Sequence, residues 1–259
     1  MNTLPELKQS RSLKYGDCFA LGPHRLIFGD SCDPNIIKKL IQKDRISLLL
    51  CDIPYGISYV QSKKGFINLN KKDKVIVNDN EQSEEKYVEF NKSWLEAVKP
   101  YLSSKNSFYI FNSDKMLFAL RKGIEDAGFR FTQILIWIKN QAIMGRMHYL
   151  PQHELIIFGW FGKHNFYKSP DRSVLFYPKP NKSIYHPTMK PIPLLRQLIL
   201  NSSRIGDFVF DGFGGSGQTL LACEQTRRKC LMVEIDVEYV TTIIQRYEKF
   251  TGLKLKKIS

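Results

Sequence analysis

Phe208-Val-Phe-Asp-Gly-Phe-Gly-Gly-Ser-Gly-Gln-Thr219, near the end of the chain, is the stretch whose reading decides the fold. Three apolar or aromatic residues, Phe208 to Phe210, predict a short buried strand that Asp211 closes. A glycine-dense turn then leads into a helix expected from Gln218 to Gln225. Glycines let the backbone turn tightly and approach a ligand, and a helix start offers unpaired N–H groups. A second buried strand, Cys230-Leu-Met-Val233, ends in Glu234, an acid placed to accept hydrogen bonds from a ribose diol. The unit therefore suits a nucleoside-containing cofactor. Its turn also spells G-x-G-x-x-G at Gly212, Gly214 and Gly217, with an acid about 20 residues on, which is the dinucleotide fingerprint. At this point a nicotinamide- or flavin-binding enzyme and a plain tight turn both stay open.

Position argues against a dinucleotide. After Glu234 only one helix, Val237 to Phe250, and a basic tail remain, and a dinucleotide fold needs a second strand–helix half. The other strands of the sheet must come from upstream. His24 to Gly29 reads as a short strand ending at Asp30-Ser31, and Asp33-Pro34 caps a helix running to Gln42. Ile46-Ser-Leu-Leu-Leu-Cys51 is the apolar run expected of a parallel strand buried on both faces, and it ends in Asp52-Ile-Pro-Tyr55. Helices are predicted over Glu84–Val98, Asp114–Ala127 and Leu194–Asn201, and strands over Asn106–Phe111, Phe129–Lys139 and Glu154–Trp160. Residues 1–23 read as a loosely attached arm, 57–83 as a mobile loop over the site, and 161–185 as an inserted surface segment. Strand–helix alternation predicts an α/β domain with a mostly parallel sheet, in which ligands sit at the carboxyl ends of the strands.

Composition sets the class. With 259 residues and 43% hydrophobic content, the chain is long enough for one domain with a substantial core. No apolar run reaches the ~20 residues of a bilayer span, and the first residues carry no apolar signal region. Five scattered cysteines without C-x-x-C read as reduced thiols, so a cytoplasmic protein away from membranes is expected. His148, His153 and His186 lack metal-ligand spacing, and no metal is expected. Thirty-nine Lys and Arg against 25 Asp and Glu give a net charge of +14, which favours a polyanionic partner.

Three motifs now stand in order: Asp52-Ile-Pro-Tyr55, His186-Pro-Thr-Met-Lys-Pro191 and Asp211-Gly-Phe-Gly-Gly-Ser-Gly217. Together they resemble the amino-group DNA methyltransferases of the β class, in which the catalytic tetrapeptide precedes the cofactor loop. The resemblance spans residues 24–249. It implies a Rossmann-like, circularly permuted methyltransferase fold in one domain, residues 1–259: a mostly parallel seven-stranded sheet with one antiparallel strand and helices on both faces. Residues 140–185 are the candidate target-recognition region. S-adenosylmethionine is the implied methyl donor, and an adenine flipped out of duplex DNA the implied acceptor. The family's tetrapeptide is D-P-P-Y in most adenine enzymes and S-P-P-Y in most cytosine-N4 enzymes, so Asp52 favours adenine while cytosine-N4 methylation stays open.

The tetrapeptide makes chemical sense by itself. An exocyclic amine is a poor nucleophile because its lone pair is delocalised into the ring. The Asp52 carboxylate and the Ile53 carbonyl offer two adjacent acceptors for its N–H bonds, Pro54 completes the tetrapeptide, and Tyr55 offers a stacking face. Ile53 stands where the family has its first proline, which leaves a catalytically impaired DNA-binding homologue as a further alternative. By resemblance, Phe213 packs on the cofactor with Gly214, Gly215, Ser216 and Gly217 of its loop, Asp211 sits near the amino end, and Glu234 lies on the ribose hydroxyls. Asp30 and Ser31 match a strand end near the adenine, with Asp52 bordering the cofactor. Thr188 and Lys190 match a motif near the methionine part. Phosphate contacts are expected from Lys63, Lys64, Lys71, Lys72, Arg146, His148, Arg172, Lys179 and Lys182. Duplex DNA is the expected partner; a second copy of the chain and a cognate restriction endonuclease fit the resemblance, but no residue selects them.

Overall fold

The computed structural model describes residues 13–56, 82–142, 148–168, 170–179 and 189–259. Its strands are β1 (Cys18–Leu21), β2 (His24–Phe28), β3 (Ile46–Asp52), β4 (Leu102–Asn112), β5 (Arg130–Ile138), β6 (His153–Trp160), β7 (Lys163–His164), β8 (Val174–Phe176), β9 (Phe208–Asp211), β10 (Lys229–Glu234) and β11 (Lys256–Lys257). The helices are α1 (Pro34–Ile41), α2 (Glu84–Val98), α3 (Leu117–Asp126), α4 (Ile192–Ser202), α5 (Gln218–Thr226) and α6 (Val237–Thr251). Within one sheet the order is β11-β1-β2-β10-β9-β3-β4-β6-β5-β8. Its seven central strands, β2 to β5 in that order, are parallel except β6, which runs antiparallel to both β4 and β5.

Strand alternation divides the core in two. Leu49 and Cys51 of β3, Ile110 of β4 and Leu231 of β10 face α1, α2 and α3. Leu48 and Leu50, Tyr109 and Met232 face α4, α5 and α6 on the other side. A strand buried on both faces must be apolar throughout, which is why β3 reads as one continuous run. Local signals start the helices as the sequence says. Asp33 accepts the Asn35 amide ahead of Pro34, Ser83 accepts from Lys86, and Asp236 accepts from Glu238.

The site lies where the winding reverses. From β3 the chain moves outward through α2 to β4; from β9 it moves the other way through α5 to β10. β3 and β9 are parallel neighbours, with Leu49 beside Phe210, so Asp52 and Asp211 end adjacent strands although they are far apart in sequence. Such a switch point opens a crevice at the carboxyl ends.

Three expectations change. The arm 1–23 is not loose in its described part: Cys18, Phe19 and Leu21 are buried, and β1 forms a hairpin with β2. The basic tail adds β11 to that edge, where Lys257 pairs with Asp17 at 2.6 Å. In the segment 161–185, β8 pairs with β5, Leu175 is buried, and the Trp137 indole donates to the Tyr177 carbonyl, so part of it belongs to the sheet. The apolar residues here are too few to show a period. Of the region 140–185, β6 is a central strand, while residues 143–147, 169 and 180–185 lie outside the described residues, as does 57–81 of the expected loop.

Candidate active site

Asp52 ends β3, and the turn after it is tied down on both sides. The Tyr87 hydroxyl of α2 donates to the Pro54 carbonyl at 3.0 Å, and the Gln82 amide donates to the Gly56 carbonyl at 3.1 Å. Ile53 is buried among the α2-side core residues. Apolar burial thus holds this position of the turn.

Around Asp52 lies a cluster of charges. Lys190, expected beside the methionine part of a cofactor, is buried and donates to Asp52 Oδ2 at 2.7 Å and to Glu154 Oε2 at 3.1 Å. A buried ammonium must be compensated, and these two carboxylates do it. Lys139, also buried, takes the other oxygen of Glu154 at 2.7 Å. The Tyr55 hydroxyl stands 3.2 Å from Asp52 Oδ1 and 3.1 Å from Glu154 Oε2, and Lys190 Nζ lies 5.5 Å from the Tyr55 ring centre. Burial raises the Asp52 carboxyl above its usual range; Lys190 opposes the rise and Glu154 adds to it. For Glu154 burial also works upward, but Lys190 and Lys139 outweigh it and bring the group down to about 2. The Lys190 ammonium is disfavoured by burial, yet Asp52 and Glu154 hold it above its ordinary value. The sequence reading missed Glu154 and Lys139. Their signal was a charge beside an apolar run in each strand: Lys139 follows Ile134–Ile138, and Glu154 precedes Leu155–Phe158.

The glycine loop across the crevice is equally ordered. Asp211 Oδ1 accepts the Phe213 amide at 3.0 Å, Glu234 Oε2 accepts the Gly215 amide at 2.6 Å, and Gly217 takes φ +80° as it starts α5. Gly212 lies so close to Ser31 that an added Cβ would meet its hydroxyl at 2.8 Å, and Ser31 donates to the Gly212 carbonyl. This close approach gives a reason for glycine at position 212. Arg246 of α6 holds the Ser216 carbonyl, and Phe213 packs edge-on against Trp94 at 5.6 Å. Asp30 accepts the Cys32 amide, shaping the strand end. Burial pushes both Asp211 and Glu234 up to about 7, with backbone amides opposing, and among the described residues neither has a salt-bridge partner. Two buried acids without a cation suit a ligand that brings hydroxyls and an ammonium.

Of the expected phosphate-binding residues, His148 and Arg172 are exposed and Lys179 is half-buried. Lys63, Lys64, Lys71, Lys72, Arg146 and Lys182, together with Thr188, lie outside the described residues. No group of three or more His, Cys, Asp or Glu that could hold a metal occurs among the described residues, and none of their helices is long and apolar enough to cross a membrane.

Comparison with known proteins places this geometry. Type II methyltransferase M.HpaI of Haemophilus parainfluenzae is 28% identical over 249 residues, covering 84% of this chain and 74% of the relative. M2.MboI of Moraxella bovis is 25% identical, covering 81% and 83%. Among solved structures, an M1.HpyAVI–SAM complex superposes with a TM-score of 0.65 at 22% identity over 85% of this chain and 97% of the other. The PvuII cytosine-N4-specific DNA methyltransferase gives 0.66 at 18% identity over 88% and 89%. The DNA methylase family model (N6_N4_Mtase) matches residues 46–246, which include Asp52, Glu154, Lys190, the glycine loop and Glu234, and the chain belongs to that family.

Proposed function

We propose that this DNA methyltransferase is a site-specific enzyme that methylates the N6 amino group of an adenine flipped out of duplex DNA, with S-adenosylmethionine as donor. The observation that carries the reading is the carboxylate of Asp52, held at the end of β3 by Lys190, across the switch point from Asp211 and Glu234, which have no salt-bridge partner among the described residues. Bound there, S-adenosylmethionine supplies an electrophilic sulfonium methyl. Glu234 would hold its ribose hydroxyls, Asp211 its ammonium, and Phe213 its adenine side. The relative solved as a SAM complex supports this donor.

The chain's own residues prepare the acceptor. Asp52 and the Ile53 carbonyl accept the two amine N–H bonds, which draws the lone pair out of conjugation and toward a tetrahedral nitrogen. Placing the nitrogen and stabilising the developing positive charge are the main contributions. The surplus proton leaves to Asp52 or to water. Tyr55 offers its ring to the extruded base, whose unstacking costs a few kcal/mol. Exposed His148, Arg172 and Tyr149 supply phosphate and stacking contacts. The type II methyltransferase relatives support a modification role alongside a cognate restriction endonuclease.

The test is to express the chain in a host lacking DNA methylation and sequence its DNA with modified-base detection. N6-methyladenine in one sequence context is expected, and Asp52→Ala should abolish it. N4-methylcytosine as the sole product would overturn the base assignment, and unmodified DNA would overturn the activity.

A further inference from the structure

Among the described residues, Glu154 touches both side chains that are bonded to the Asp52 side chain. One oxygen of Glu154 meets Lys139 at 2.7 Å, and the other meets Lys190 at 3.1 Å and the Tyr55 hydroxyl at 3.1 Å. Lys190 and Tyr55 are also, among the described residues, the two side chains bonded to Asp52, one on each oxygen. The Tyr55 hydroxyl has a single proton and stands between two carboxylates at nearly equal distances. If that proton points to Asp52, Oδ1 is occupied. If it points to Glu154, Oδ1 is open to an incoming amine.

We propose that Glu154 is a positioning residue for the methyl transfer: it draws the Tyr55 hydroxyl proton and part of the Lys190 ammonium away from Asp52, so that Asp52 Oδ1 accepts from the target amine. This rests on Asp52 being the catalytic acceptor. Four charges compose the device, Asp52, Glu154, Lys190 and Lys139, and they sum to zero, which lets a buried cluster form without a stray charge. Lys139 has a defined part in it. By neutralising the far oxygen of Glu154 it keeps that carboxylate from raising Asp52 further. The β6 strand makes the arrangement rigid, because Glu154 pairs with Trp137 of β5 in the sheet register.

The acceptor must be ionised, so activity falls on the acid side as Asp52 takes a proton. Lys190 faces Asp52 from the segment ahead of α4, Glu154 from β6 with Lys139 of β5 behind it, Tyr55 from its own turn and Asp211 from β9. Glu154→Gln keeps the shape, removes a negative charge and hands the Tyr55 proton to Asp52. Lys139→Met removes a positive charge and leaves Glu154 in place. The two variants therefore move the Asp52 titration in opposite directions.

The experiment measures kcat against pH for the full-length wild type, Glu154→Gln, Lys139→Met and Asp52→Ala, by methyl-label incorporation into genomic DNA, with S-adenosylmethionine affinity measured in parallel. For Glu154→Gln the expected result is a kcat lower by about tenfold, cofactor affinity within about twofold, and an acid limb moved down by about one pH unit. For Lys139→Met the acid limb moves up. Acid limbs that coincide with wild type, or that shift in the same direction, would overturn the proposal. Lys139→Met carries the test alone if Glu154→Gln fails to fold. Full activity in Asp52→Ala would instead refute the catalytic reading on which the proposal stands.

Discussion

Lys190→Met removes the cation that binds both carboxylates of the site. In the native cluster Asp52 and Glu154 are balanced by Lys190 and Lys139; without Lys190 one negative charge is left over. Breaking a fully buried ion pair costs about 3–5 kcal/mol. The Asp52 side chain is 30% exposed, so water returns part of that, and about 2–4 kcal/mol is expected. The molecule can escape the cost by protonating Asp52. Losing Lys190 therefore raises the Asp52 carboxyl further, above a value that burial already raises. A folded-state pKa raised above the unfolded one gives a penalty that is absent below the unfolded pKa and grows as pH rises towards the folded value. Urea melts should therefore show a small loss for Lys190→Met at pH 5 and the full loss at pH 8. Methyl transfer should fall steeply at neutral pH. Adding Glu154→Gln removes the surplus charge and should restore most of the stability, a non-additivity that a double-mutant cycle reads directly. An equal loss at both pH values, or one below about 1 kcal/mol, would refute this account of the cluster.

Other perturbations test the remaining parts. Asp211 and Glu234, each near 7 in the free protein, should release protons when a ligand brings an ammonium and hydroxyls to them, so S-adenosylmethionine affinity should weaken as pH falls below about 7; calorimetry in buffers of different ionisation enthalpy checks this. Phe213→Ala removes a half-buried ring set edge-on to Trp94 and Phe90, and should cost about 1–3 kcal/mol of stability and weaken cofactor binding, both followed by Trp94 fluorescence. A Cβ on Gly159 would run into the Arg130 carbonyl and the Phe108 ring, so Gly159→Ala should split β6 from β5 and cost about 3 kcal/mol in thermal melts while displacing Glu154.

Much of this protein is written in local sequence. The apolar runs Ile46–Cys51 and Cys230–Val233 announce strands buried on both faces, and Asp33, Ser83 and Asp236 mark helix starts through side-chain caps that act within three residues. The Asp52 tetrapeptide and the glycine loop were readable for the same reason: each motif works through consecutive residues. The hairpin of Cys18–Leu21 and the β8 strand showed only in the fold, where each is set by the neighbour it pairs with, β2 and β5.

What tertiary structure decided is the company that Asp52 keeps. Lys190, Glu154 and Lys139 come from a loop and two strand ends, lie 87 to 138 residues away in sequence, and have no spacing that links them. The sheet order brings them together: β4 lies beside β3 and antiparallel β6 beside β4, while Lys190, two residues ahead of α4, reaches both carboxylates. Lys190, read from sequence as a contact to the cofactor's methionine part, is in the folded chain the counter-charge of Asp52, because a buried ammonium binds the carboxylates that the fold places within reach. Sequence alone determined the family; how the charges around Asp52 are held in place follows from charge balance in a buried crevice, which only the folded chain creates.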